Sequence, residues 1–350
     1  GVIPQVTAIF GMCGGGLAVV PGLTDFTFME AKDGKLFVNS PNALEGNEIS
    51  KCNTASAEYQ SKTAGLVDGI GTEDEILGKI RELVTYLPSN CEDTDSYMEC
   101  TDDLNRVCED IENCTGDTAI ALSRIADNGQ FFEVKADYGK SVAVGFIRLN
   151  GATVGAVANR SESYDVEGKK VWESDGTLSA RGARKAAEFV KFCDAFEIPV
   201  LTLTNVNGFK ATVCGEKMMA KSVGALVHAF ADATVPKVNV VIGKAFGTAY
   251  TAMNSKAIGA DMVYAWENAE IGMMDADLAA KIMYAGDDAA ALTEKAAEYR
   301  ELQNSVSSAA ARGYVDTIIS PADTRKYVIG AFEMLFTKRE ERPSKKHGTV

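Results

Sequence analysis

Two short segments carry residue types and spacing that could do chemistry. Cys13-Gly14-Gly15-Gly16 follows an apolar run ending at Phe10, and Phe246-Gly247-Thr248-Ala249 follows another ending at Ile242. A glycine-rich turn between a strand and a helix leaves backbone N–H groups without acceptors, and the helix dipole adds positive potential in front of them. Such donors can bind a phosphate. They can equally bind the oxygen of a developing enolate as an oxyanion hole. A third reading is a tight strand-to-helix turn with no ligand. Neither turn fits G-x-G-x-x-G with a following acidic residue, so the dinucleotide reading is weak.

Side-chain bases are scarce. The chain has two histidines. His228 falls in an expected helix and reads as a packing residue, and His347 falls in a basic tail. No H-E-x-x-H, G-x-S-x-G or P-loop pattern occurs, and no Cys/His cluster has metal-ligand spacing. The eight cysteines contain no CxxC pair. With no export signal visible, they read as reduced thiols in a cytoplasm. These residues suit a reaction whose charge is held by backbone N–H groups while a substrate or cofactor brings the base.

The elements that position the two turns repeat. Ile3-Pro4-Gln5-Val6-Thr7-Ala8-Ile9-Phe10-Gly11 aligns with Val235-Pro236-Lys237-Val238-Asn239-Val240-Val241-Ile242-Gly243 at an offset of 232 residues. Gly65-Leu66-Val67-Asp68 aligns with Gly313-Tyr314-Val315-Asp316 at an offset of 248. The two echoes come in the same order, which points to two related domains. About 90 residues of α/β pattern precede Pro236 in the second copy and three residues precede Pro4 in the first. The expectation is a first domain lacking its N-terminal half.

Length and charge bound the rest. The chain has 350 residues, 46% hydrophobic and 24% charged, enough for a packed core and for two or three domains. Its net charge of −14 argues against nucleic acid as a main partner. No apolar run approaches the length of a membrane-spanning helix. Apolar spacing predicts a helix over 75–87 stopped by Pro88, a hairpin turning at Asn150-Gly151, and an amphipathic helix over 181–197. It also predicts a buried strand over 199–204 ending in the turn 205–209, a helix to about Ala233, and a strand over 238–242. Residues 291–311 and 323–337 read as further helices. Residues 91–117 hold ten acidic residues, one Arg and four Cys, and read as a linker or surface excursion. The domain division is 1–90, then 91–126, then 127–350.

These segments resemble the carboxyltransferase subunits of biotin-dependent acyl-CoA carboxylases and decarboxylases. The matching text includes GVIPQVTAIFGMCGGG at 1–16, LTDFTFM at 23–29, GFIRLNGATVGAVAN at 145–159, AAEFVKFCDAFEIPVLTL at 186–203 and ATVPKVNVVIGKAFGTAY at 233–250. The tail at 338–348 also matches. The resemblance implies an α/β chain of tandem crotonase-like ββα spiral domains, the first incomplete. It implies a hexamer, a trimer of dimers, in which the N-domain of one subunit faces the C-domain of another. Acyl-CoA would lie on the N-domain side and biotin, carried by a biotin carboxyl carrier protein, on the C-domain side. A further partner would be a biotin carboxylase or a membrane decarboxylase subunit, with no metal in this chain.

In the reaction so implied, carboxybiotin gives up CO2, its ureido nitrogen removes the acyl α-proton, and the enolate attacks CO2, or the reverse occurs. The catalytic oxyanion holes map to the N–H groups of Gly15 and Gly16 and to those of Thr248 and Ala249. Gly14, Tyr250 and Thr251 map to substrate binding, and Gly208, Phe209 and Gly247 to the biotin side. Three features depart from the family pattern. Thr248 stands where Gly-Gly-Ala is frequent, Asn207 stands where Pro is usual before Gly-Phe, and no branched-chain acyl signature is readable. Two other classes remain open. One is a crotonase-type enoyl-CoA hydratase or isomerase, which needs positioned carboxylates beside the hole. The other is an assembly subunit without catalysis.

Overall fold

The computed structural model describes residues 1–93, 96–165 and 167–340. The end of the expected basic tail, with His347, lies outside the described residues. The first lobe holds strands β1 (Val6–Ile9), β2 (Met12–Gly14), β3 (Phe26–Glu30), β4 (Lys35–Phe37) and β5 (Gly69–Gly71), with helices α1 (Ala57–Tyr59) and α2 (Glu73–Tyr86). β1, β3 and β5 form one parallel sheet, and β2 pairs with β4 in another. α2 starts where expected because Thr72 and Glu75 form a reciprocal capping box. It ends one residue before Leu87-Pro88.

After α3 (Thr118–Ile125), one eight-stranded sheet organises the second lobe. Its strands are β6 (Phe131–Val134), β7 (Val142–Leu149), β8 (Ala152–Asn159), β11 (Val200–Val206), β12 (Lys237–Phe246), β13 (Met262–Trp266), β14 (Glu270–Gly272) and β15 (Thr317–Ile319). The order is β15-β13-β12-β11-β8-β7-β6, with β14 pairing the far end of β12. A small ribbon, β9 (Glu162–Tyr164) with β10 (Lys170–Glu173), precedes α4 (Ala180–Ala195). β6, β7 and β8 run antiparallel, and the β7–β8 turn is the expected Asn150-Gly151, both at positive φ. α4 and α5 (Val213–Asp232) flank β11, which gives the parallel β11–β12 crossover. The chain closes with α6 (Gly247–Ala252), α7 (Ala276–Met283), α8 (Ala289–Tyr299), α9 (Val306–Ala311) and α10 (Thr324–Leu335).

The sheet is buried on both faces, so its strands alternate between two cores. Val144 and Phe146 of β7 pack with α4, α5 and the first lobe, while Ile147 and Leu149 pack with α3 and α10. The lobes share the first of these cores. The Phe26 ring meets Phe192 at 4.8 Å, Tyr86 stacks on Phe146 at 6.2 Å, and the Arg148 guanidinium lies 4.4 Å over Tyr86 while donating to Thr85 O.

The structure departs from the sequence reading in four places. β11 continues two residues past Thr204, and β12 continues to Phe246 because β14 pairs with its end. The helix expected over 291–311 breaks at Ser305, which caps α9, while the Asn304 side chain turns away to donate to Met274 O. α3, which precedes Asp127, buries Ala121, Leu122 and Ile125 against the sheet of the second lobe. The acidic stretch is anchored rather than loose. Cys108 and Ile111 are fully buried in the second core, and Arg325 donates to Asp103 O.

Candidate active site: two uncapped glycine turns

The sequence repeat is a repeat of structure. β1 pairs β3 from Val6↔Phe26, and β12 pairs β13 from Val238↔Met262. β2 pairs β4 as β12 pairs β14, and β3 pairs β5 as β13 pairs β15. Matching carboxylates clasp matching strands. Asp25 accepts from Gln5 N at 2.7 Å, and Asp261 accepts from Lys237 N at 2.7 Å. Asp68 accepts from Thr27 N at 2.6 Å, and Asp316 accepts from Val263 N at 2.8 Å. The sequence echo at 65–68 and 313–316 ends on the second pair of these carboxylates. One difference separates the copies: the first breaks between β1 and β2 at Phe10-Gly11, whereas β12 runs through.

Each copy ends in a turn of the same shape. Gly15 has φ +63° and Gly247 has φ +61°. A side chain is strained in this left-handed region, so glycine is the residue that makes the turn cheap. Gly15 opens a 3₁₀ helix over 15–23, and Gly247 opens α6. No side chain caps either helix. The first N–H groups therefore lack both intrahelical acceptors and a capping oxygen. The residue after each glycine, Gly16 or Thr248, is exposed, and Ala249 is buried. Around Gly15 and Gly16 an added Cβ would meet nothing within 4 Å, so the space before these donors is open.

The surroundings of the two turns differ. Gly14 is tight, since a Cβ there would come within 2.7 Å of the Phe37 ring. A cavity of about 290 Å³ opens beside this turn, lined by residues 7–13 with Leu17, Val20 and Pro21. The second-turn residues do not line it. Gly247 faces Met273 O, 3.1 Å from a built Cβ. The neighbouring turn through Gly208 and Phe209 leaves the carboxyl end of β11, next to β12, where Val206 pairs with Ala245. Gly208 has φ +140° and open space around it. The fold therefore brings Gly208 and Phe209 together with Gly247, Thr248, Ala249, Tyr250 and Thr251 at adjacent parallel strand ends, the usual ligand position in such sheets. Gly14, Gly15 and Gly16 stand apart on the first lobe.

Tyr250 is buried beside the second turn, and its hydroxyl has no hydrogen-bond partner among the described residues. Burial, with Tyr314 nearby, pushes its pKa up to about 12, so it stays a neutral donor. Thr251 Oγ1 reaches back to Gly247 O at 3.5 Å. His228 sits half-buried within α5, and its Nδ1 is buried with no hydrogen-bond partner among the described residues. Phe37 and Met273, which shape the two turns, carry no sequence signal, because each lies more than twenty residues from its glycine. Among the described residues no group of three His, Cys, Asp or Glu side chains could hold a metal ion, and no helix is long and apolar enough to cross a membrane.

Comparisons with known proteins bear on the fold and the family. The family described as carboxyl transferase domain matches residues 1–350. The chain is 37% identical to the carboxyltransferase subunit of propionyl-CoA carboxylase from Haloferax mediterranei, covering 100% of this chain and 69% of that protein. It is 36% identical to the alpha subunit of methylmalonyl-CoA decarboxylase from Propionigenium modestum, again over 100% of this chain and 69% of that protein. Its fold superimposes on the transcarboxylase 12S crystal structure, a hexamer with hydrolysed methylmalonyl-coenzyme A bound, with a TM-score of 0.90 at 36% identity over 99% of this chain and 68% of that one. The mixed α/β architecture with its internal repeat is thus the crotonase-like fold of that relative, and the chain belongs to the carboxyl transferase family of enzymes.

Proposed function

We propose that this chain moves a carboxyl group between biotin on a carrier protein and a short-chain acyl-CoA. The acyl group would be of the propionyl/methylmalonyl, acetyl/malonyl or glutaconyl type. The duplicated, uncapped glycine turn, at φ +63° and +61°, is the observation that carries this reading. A reaction that builds negative charge on two oxygens, one on each substrate, needs two sets of preorganised donors. Biotin supplies the carboxyl group and a ureido nitrogen able to take up the acyl α-proton.

In this reading the N–H groups of Gly15 and Gly16 hold the thioester oxygen, with Gly14 lining the acyl side. Those of Thr248 and Ala249 hold the ureido oxygen. Gly208, Phe209 and Gly247 lie on the biotin side, with Tyr250 and Thr251 lining the pocket. The donors present fit a ureido group: the turn is uncapped, the space at Gly208 is open, and the Tyr250 hydroxyl is an unsatisfied buried donor. Residues 1–90 would be the C-terminal half of an N-terminal carboxyltransferase domain, 91–126 the connection, and 127–350 the C-terminal carboxyltransferase domain.

A homo-oligomer, a trimer of dimers, would bring the first turn of one subunit to the second turn of another. Exposed apolar side chains beside each turn support this: Leu17 and Leu23 after the first, Met273 against the second. The further partner is a biotin carboxylase or a membrane decarboxylase subunit. The test is transfer of radiolabelled carboxyl from methylmalonyl-CoA or malonyl-CoA to free biotin by the full chain. Labelled carboxybiotin is expected. A folded, oligomeric protein that transfers no label from any short acyl-CoA would overturn the reading, and hydration of crotonyl-CoA without biotin would replace it.

A further inference from the structure

Away from both glycine turns, a cavity of about 210 Å³ gathers four cations in a chain of net charge −14. Lys62 comes from the first lobe, Lys140 precedes β7, Arg181 lies in the first turn of α4, and Lys210 follows Phe209. Lys62 is held by Glu58 at 2.8 Å, and Lys140 lies 3.6 Å from Asp137, which also lines the cavity. Among the described residues neither Arg181 nor Lys210 is in an ion pair, so the cavity keeps an excess of positive charge.

Three further features point to an anion. The N-terminus of the 16-residue helix α4 opens here, with Ser179 capping Gly182 N, and its dipole adds positive potential. Ser141 and Ser179 bring hydroxyls to the lining that bond each other at 2.8 Å, leaving one O–H of the pair to donate, while the Thr177 hydroxyl is committed to Asp175. Ser174 lines the same space, and its hydroxyl, buried behind the wall, has no hydrogen-bond partner among the described residues. An orphaned buried donor is costly unless an acceptor reaches it.

We propose that this cavity is a binding site for a phosphate-bearing small molecule. Two cations outside any ion pair match a multiply charged tetrahedral anion better than a single carboxylate. Typical pockets that enclose a drug-sized ligand run from about 300 Å³ upward. This one takes a phosphate or diphosphate group, and Trp172 in its lining offers a ring to the organic part. The site is separate from the oxyanion turns but mechanically joined to the turn beside the second of them. Asn207 N donates to Gly176 O and Lys210 N to Leu178 O, so the wall of the cavity also holds the Gly208-Phe209 turn. The proposal does not depend on the carboxyl-transfer reading. The phosphate could belong to coenzyme A itself or to a separate nucleotide, which are chemically alike at this end.

Trp172 makes the test direct, because the other tryptophan, Trp266, is fully buried and bonded to Thr324. Inorganic pyrophosphate, ADP and coenzyme A are titrated into the full chain, with tryptophan emission and calorimetric heat as two readouts. Saturable binding is expected. The emission change is lost in Trp172→Phe, and affinity falls at least about tenfold in Lys210→Glu, in Arg181→Glu, and on raising salt from about 50 to about 300 mM. Coenzyme A binding about tenfold tighter than ADP assigns the pocket to the substrate's phosphates, and equal or weaker binding assigns it to a separate nucleotide. The anion site stands in both cases. No heat and no emission change with any of the three at millimolar concentration, or affinity unchanged in both charge-reversed variants whose circular dichroism is native, overturns it.

Discussion

Gly247 lies where the backbone turns left-handed and a Cβ would stand 3.1 Å from Met273 O. Gly247→Ala should therefore cost ~1 kcal/mol of stability. It should also tilt the donors of Thr248 and Ala249 and lower kcat by ~10²–10³-fold, the usual loss for one oxyanion-hole donor. Urea midpoints and single-turnover carboxyl transfer measure the two effects separately. Asp68 is a second residue with a readable consequence. Burial pushes its carboxyl from 3.8 up to about 6, against the pull of Lys135 and the Thr27 N–H it accepts. The folded chain therefore holds the Asp68 proton more tightly than the unfolded chain does. The stability this confers is complete below about pH 4 and is lost as pH rises through about 6. Asp68→Asn keeps an acceptor for Thr27 and removes the titration. Urea unfolding stepped from pH 4 to pH 7 should show a decline on the order of 2 kcal/mol in the parent chain that is absent in the variant.

At the scale of elements, Arg325 in α10 decides how the acidic stretch is held. It is fully buried, donates to Asp127 at 2.6 Å, to Ile125 O at 2.7 Å and to Asp103 O at 3.1 Å. Asp127 in turn accepts from the N–H groups of Asn150 and Gly151, so one guanidinium joins α10, the end of α3, the β7–β8 turn and the acidic stretch. Arg325→Met strands a buried carboxylate and should cost ~3–5 kcal/mol. Trypsin should then cut at Arg106 early in limited digestion. Arg325→Lys should rescue only in part, because an ammonium lacks the planar fork that serves three acceptors at once. This clamp shows why some of the fold was legible in the sequence and some was not. Period and capping marked α2, α4 and the Asn150-Gly151 hairpin, because the residues that decide them are neighbours in sequence. The anchoring of 91–117 depends on Arg325, some two hundred residues away, and on Cys108 and Ile111, whose burial no local pattern announces. The glycine turns were legible for the same local reason, while Phe37 and Met273, which set their depth, were not.

For the whole molecule, the two turns face different surroundings within one chain, and the apolar side chains beside them are unpartnered. Leu17 is 59% exposed and Leu23 is 74% exposed. Leu17→Glu with Leu23→Glu should lower the mass measured by light scattering toward that of a monomer. Carboxyl transfer should fall with it, while circular dichroism and the urea midpoint stay near those of the parent chain. The basic cavity is legible at this scale alone, since Lys62, Lys140, Arg181 and Lys210 come from four segments and only folding brings them together. The duplicated turn also has a use as a measuring device. Gly15 and Gly247 share a backbone φ within 2°, so the same substitution imposes nearly the same left-handed strain on each, and only at Gly247 does the new Cβ also press on Met273 O. Once that contact is read from the two urea midpoints, the difference in activity between the paired variants belongs to the molecule each turn grips. The chain thus contains its own reference state, and two matched alanine variants would weigh one bound oxygen against the other with the scaffold subtracted.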